Sequence, residues 1–204
     1  MLITLDSLIA RGVEPSSVLH VGAHLAEEAD EYQRLGMSPV FWVEANPDLM
    51  PALVRKLHPI PKQFLIIAAV SSGKRETVFH VASNGQSSSL LEFELHRDEH
   101  PDVHYVKDQD VTTTTLDELW AEGLLQPTGF LNLDVQGSEL DVLVGGEKYL
   151  EHVRTVYSEV NEKELYRGCA LFDQMDAWLS ERGFRLLDKQ MTAHFWGDAC
   201  WIRS

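Results

Sequence analysis

The stretch FLNLDVQGSELDVL, residues 130–143, starts as a buried strand and changes character at Asp134, where a carboxylate stands as the apolar run ends. From about Ser138 the apolar residues recur at helical spacing through SELDVLVGGEKYL. A strand running into a helix with an acid at the junction is a recurring unit of parallel α/β sheets. The acid itself is open to four readings: helix cap, metal ligand, base or cofactor anchor.

The same alternation runs along the chain. Strands are predicted over 17–22, 40–44, 64–70, 76–82, 130–134 and 153–160. Helices are predicted for AEEADEYQRLG, which Gly36 closes, for PDLMPALVRKL, which Pro47 opens, and for LFDQMDAWLSERG, with Leu171, Met175, Trp178 and Leu179 on one face. FRLLDK and HFWGDACWIRS read as a closing antiparallel pair. The expected fold is α/β: a mostly parallel sheet with helices on both faces. No internal repeat or low-complexity linker interrupts it, and one domain over 1–204 is the economical organisation for this length. Residues 83–115, polar and irregular, are expected to lie over the site as a lid or acceptor region.

Composition narrows the function. Seventeen basic against 32 acidic residues give a net charge of −15, a field that repels a phosphate backbone, so nucleic acid is not the expected partner. No apolar run reaches membrane-spanning length, and Asp6 stands where a signal peptide needs a basic start, which predicts no membrane and a cytoplasmic location. Cys169 and Cys200 are too few for a disulfide framework and have no CxxC partner.

In open parallel sheets ligands sit beyond the carboxyl ends of the strands. After the first strand, Gly22 and Ala23 let a ligand approach the backbone; after the second, Glu44 stands about 20 residues beyond Gly22, the separation expected of an acid that accepts from ribose hydroxyls. AAVSS, with Ala69 and Val70, is small enough to flank a flat base. GAHLAE is not GxGxxG, and there is no GxxxxGK[ST] loop. A nucleoside without pyrophosphate fits this loop better, which points to S-adenosylmethionine.

HVGAHLAEEADEY, WVEANPDL, SSSL, TTTTLDEL, LDVQGSELDVLVGGEKYL, VYSEVNEKELYRG and WGDACWIR, in this order, resemble the FkbM family of S-adenosylmethionine-dependent methyltransferases from about His20 onward. The resemblance implies a seven-stranded, Rossmann-like class I methyltransferase fold and O-methylation of a sugar, a glycan or a small natural product. This sequence departs from the family pattern at His20 (often Asp), His24 (often Asn), Ala26 (usually Gly) and Gln136 (often Glu).

The expected site has Gly22, Ala23, His24 and Glu28 at the methionine end of the cofactor, Glu44 and Ala45 at the ribose, and Ala69 and Val70 at the adenine. Asp134 stands near the transferred methyl as a catalytic or acceptor-orienting carboxylate. Glu159 and Asn161 either bind acceptor hydroxyls, join Asp134 around a divalent cation, or simply cap strands. Ser88, Ser89 and His194 are candidates on the acceptor side. Glu139 serves either the helix dipole or the site. Pro101 argues against a zinc-binding helix through His96, His100 and His104, and HRDEHPDVH reads as a solvated part of the lid. Rival functions are a catalytically silent nucleoside-binding module and an NAD-dependent oxidoreductase. The sequence leaves the acceptor and the oligomeric state open.

Overall fold

The computed structural model describes residues 1–203; Ser204, predicted to end the closing strand, lies outside the described residues. In chain order the elements are α1 (Leu5–Ala10), β1 (Val18–Val21), α2 (Ala29–Arg34), β2 (Val40–Glu44), α3 (Met50–Leu57), β3 (Gln63–Ile67), β4 (Ala69–Val70) and β5 (Glu76–Ala82). There follow α4 (His96–Glu99), β6 (Tyr105–Thr114), α5 (Leu116–Ala121), β7 (Phe130–Leu133), α6 (Glu139–Val144), β8 (Thr155–Asn161), α7 (Phe172–Ser180), β9 (Phe184–Met191) and β10 (Trp196–Arg203).

Seven strands form the main sheet in the order β3-β2-β1-β7-β8-β10-β9, parallel from β3 to β8 and closed by the antiparallel β9–β10 hairpin. Every residue of β1, β2 and β7 is buried, as central parallel strands covered on both faces require. Alternate side chains feed two cores. Leu19, Val21, Val43 and Leu131 pack toward α5, α6 and α7, whereas Val18, Val40, Trp42 and Phe130 pack toward α1, α2 and α3. The chain steps outward from β1 to β3 on one side and from β7 to β10 and β9 on the other. The order therefore reverses between β1 and β7, where a crevice opens beyond the strand ends.

The sequence predicts one strand over 64–70, but Ala68 breaks it. Residues 63–67 stay in the main sheet, and Ala69–Val70 leave it to pair with Thr113–Thr114 in a separate three-stranded sheet, β4-β6-β5. β5, expected to join the parallel sheet, pairs antiparallel with β6 instead. The region 83–115 is correspondingly less irregular than expected, since residues 105–114 form a ten-residue strand. Its polar alternation suits a sheet with one solvated face. α5 is likewise missing from the expectation, although Thr115 and Glu118 make a reciprocal capping box whose T-x-x-E spacing stands in TTTTLDEL.

Gly22 fixes the geometry at the crevice. Its φ is +91°, and a Cβ there would lie 1.8 Å from the carbonyl oxygen of Asp134, so the turns after β1 and β7 meet as closely as they do only because this residue has no side chain. Gly22→Ala is expected to cost at least about 2 kcal/mol from backbone strain and the clash together. A lowered urea midpoint checks this; an unchanged midpoint contradicts the close approach.

Candidate active site

Two cavities meet at the crevice. The smaller, about 570 Å³, runs between the tips of β1, β2 and β4, and the larger, about 1280 Å³, lies over β7, β8 and β10. Gly22, His24, Gln86 and Asp134 line both.

Glu44 ends β2 and is buried, 6% exposed. One oxygen accepts the His24 N–H at 2.8 Å and the other the Asn46 N–H at 2.7 Å, which stitches the turn after β1 to the turn after β2. Burial pushes its pKa up while these N–H groups pull it down. Each oxygen keeps a lone pair for a further donor, as a ribose-binding carboxylate needs. Ala45, Ala69, Val70 and Phe79 supply an apolar slot beside it. Ser138, also lining this cleft, is 3% exposed and its hydroxyl has no partner. A buried polar atom without a partner costs stability, and Ser138 holds one at the wall of this cleft. The residues present thus fit a nucleoside.

At the junction, Asp134 follows β7 and opens into the cavity. The Gln136 amide nitrogen donates to Asp134 Oδ1 at 2.7 Å and to Glu159 Oε2 at 3.0 Å, and the Tyr166 hydroxyl donates to Gln136 Oε1. One carboxamide, on a residue with φ 55°, therefore holds two carboxylates together. The protein packed around the cavity raises the pKa of Asp134, and Gln136 counteracts that. Burial raises Glu159 strongly, and repulsion from Asp134, Glu139 and Asp198 adds to it. Among the described residues no group of three or more His, Cys, Asp or Glu side chains is arranged as a metal site. The Gln136 amide occupies the position between the two acids, and Asn161 does not join them, so the donor set for a divalent cation is not assembled.

Of the expected cofactor residues, Gly22, His24, Glu44, Ala45, Ala69, Val70 and Asp134 line the smaller cleft, whereas Ala23 and Glu28 line the larger cavity. Glu159 lines the larger cavity from within β8. Asn161, the last residue of β8, is fully buried and lines neither. Ser88 lines the smaller cleft, its hydroxyl donating to the Gly85 carbonyl at 2.6 Å. Ser89 lines neither, and its hydroxyl donates to the Gln136 carbonyl at 2.7 Å. His194 is exposed, paired with Glu99 at 2.9 Å, and lines neither cavity, although its ring lies 5.2 Å from that of His100 at the wall of the larger one. His96 corrects the solvated reading of its segment: it is 4% exposed, lines the larger cavity and stacks on Phe93. Pro101 follows the short α4. Sequence reasoning missed Gln136, Tyr166 and Asp198 as site residues; an acid inside the apolar run of β10 was the legible signal for Asp198.

Solved structures that share this architecture include class I methyltransferases. Fibrillarin from Aeropyrum pernix, in complex with S-adenosyl-L-methionine, aligns with TM-score 0.56 over 97% of this chain and 74% of its own, at 12% identity. Magnesium protoporphyrin IX methyltransferase from Synechocystis PCC 6803, with bound SAM, gives 0.54 over 98% and 76%, at 9% identity. The Methyltransferase FkbM domain model matches residues 20–186, and the chain belongs to that family. A curated relative, 2-O-methyltransferase NoeI of Sinorhizobium fredii (strain NBRC 101917 / NGR234), is 28% identical over 160 residues, 74% of this chain and 65% of the relative, so just under two thirds of that protein's length is matched. No described helix is long and apolar enough to cross a membrane.

Glu139, at the start of α6, is 1% exposed and its carboxylate accepts N–H groups of Val135 and Gly137, each at 3.1 Å. Burial pushes it up to about 7 against those N–H groups, and the Asp134 charge adds to the rise. The folded protein therefore keeps a proton that the unfolded chain has lost above pH ~4.5. Its contribution is intact below that pH and falls as pH rises through about 7, by on the order of 3 kcal/mol. Denaturation at several pH values should show stability declining across this window and a flatter decline in Glu139→Gln; the same slope in both proteins contradicts the assignment.

Proposed function

We propose that the chain is an S-adenosylmethionine-dependent O-methyltransferase acting on a hydroxyl of a sugar, a glycan or another small natural product. The observation that carries this reading is the position of Asp134 at the junction of the cleft beside Glu44 and the larger, acid-lined cavity, both opening at the switch point of the sheet. The names of a 2-O-methyltransferase relative and of SAM-bound structural neighbours support oxygen as the attacked atom and SAM as the donor.

S-adenosylmethionine supplies an electrophilic methyl group on a sulfonium, whose bonding electron pair stays on sulfur when the methyl leaves. Glu44 accepts from the ribose hydroxyls while its N–H bonds hold it rigid. Ala69, Val70 and Phe79 flank the adenine. Gly22, Ala23, His24 and Glu28 border the methionine end. Asp134 orients the acceptor hydroxyl and takes its proton as the oxygen gains its bond to carbon. The protein packed around the cavity raises its pKa, which suits a carboxylate to that task. Gln136 fixes the carboxylate's orientation from behind. Aligning the two reactants is the larger part of the rate gain, since the proton is the one charge left to manage.

Glu44→Gln is expected to weaken S-adenosylhomocysteine binding by about tenfold or more in calorimetry, the worth of hydrogen bonds to a charged group. Asp134→Asn should leave that affinity within a few fold and lower methyl transfer to a glycoside panel by about 10²–10⁴. Unchanged affinity in the first variant removes the ribose assignment. Full turnover in the second removes the proton acceptor, and absence of transfer to any alcohol by the wild type supports the silent module.

A further inference from the structure

The larger cavity is lined by Glu27, Glu28, Asp134, Glu159 and Asp198, and by no lysine or arginine. Glu27 is paired with His24. None of the other four is in an ion pair with a basic side chain. Glu159 and Asp198 are direct cross-strand partners on β8 and β10, facing the same side of the sheet. Like charges in that relation repel, a cost that a positive group between them relieves. Asp198 accepts from the Tyr157 hydroxyl and the Leu2 N–H, and Glu159 from the Gln136 amide; these dipoles orient the acids without neutralising them.

A second observation on the same sheet face points to a ligand. The next cross-strand pair is Asn161 with Trp196, and Trp196 lines the cavity. The Asn161 carboxamide is fully buried with neither its oxygen nor its nitrogen bonded. Across the cavity, His96 keeps one ring nitrogen against the Ser87 hydroxyl at 3.3 Å and leaves Nδ1 without a partner. His96 lines the cavity, so its unpaired nitrogen is a polar group that a ligand there would satisfy, whereas Asn161 lies behind the Trp196 pair and lines no cavity. The indole of Trp196 adds a face on which a cation is favoured.

Resting on the methyltransferase reading, we propose that the acceptor is a cation: an amine-bearing alcohol, an aminosugar in its simplest form, whose ammonium lodges between Glu159 and Asp198 beside Trp196 while its hydroxyl faces Asp134. The sulfonium of the donor and the amino group of Met1, which also lines the cavity and acts on Glu28, offset two of the four carboxylates that lack a basic side chain, and the remainder select a positive partner over a neutral one. A neutral sugar of the same shape would have to desolvate these acids and return hydrogen bonds without a compensating charge.

The test is calorimetric titration of the full chain at low ionic strength and near-neutral pH with methyl glucosaminide and with methyl N-acetylglucosaminide, each with and without saturating S-adenosylhomocysteine. The amine should bind at least about tenfold more tightly. The preference should collapse to near parity in Glu159→Gln and in Asp198→Asn, with thermal unfolding and circular dichroism reporting that each variant is folded. Equal binding, preference for the acetylated sugar, or no binding of the amine overturns the proposal. If S-adenosylhomocysteine binds and the amine shows no preference, this inference fails alone. If the amine binds selectively and S-adenosylhomocysteine does not bind, the ammonium site stands and the methyltransferase reading falls.

Discussion

The turn after β1 must pass so close to the carbonyl of Asp134 that no side chain fits at Gly22, and the rest of the site depends on that contact. It brings the ends of β1 and β7 together at the point where strand order reverses, and so places one carboxylate at the meeting of two cavities. The register that pairs Val21 with both Val43 and Leu133 then sets Glu44 and Asp134 on either side of the same turn. Glu44 locks the arrangement by accepting N–H groups from both neighbouring turns. The backbone hydrogen bonds that make the sheet thus also aim the acids.

The site holds acids that folding alone would avoid. Glu159, Asp198 and Glu139 are drawn out of water without a basic side chain to meet them, and burial shifts Glu139 and Glu159 toward their protonated forms. Buried groups of this kind lower stability and are commonly found where a ligand is to be bound or a proton moved. Gln136 reconciles two of them by donating to both, and Tyr166 and Ser89 hold Gln136 in turn. The amide stands where the FkbM resemblance often has a glutamate; a third carboxylate there would add repulsion where Gln136 supplies a donor.

Much of the fold was legible because the signals were strong and local. Continuous apolar runs gave the central strands, and their spacing against helical segments gave the parallel order. The second sheet was not legible, since Ala68 breaks the apolar run with no glycine or proline to mark it, and a polar ten-residue strand looks like loop until β5 pairs with it. Glu44 and Asp134 could be picked out as acids ending apolar runs. Gln136 and Tyr166 could not, because what joins them is a left-handed turn and a contact thirty residues apart in sequence. Ala26 shows the same limit: it stands where the family resemblance usually has glycine and takes φ 54° while wholly buried, a strain no residue count reveals.

The most direct measurement is a crystal structure of the chain grown with S-adenosylhomocysteine. The ribose hydroxyls should lie within hydrogen-bond distance of the Glu44 carboxylate, the adenine beside Ala69 and Val70, and the sulfur toward Asp134. A nucleoside lodged away from the tips of β1, β2 and β7, or turned so that its sulfur points away from Asp134, would contradict the account.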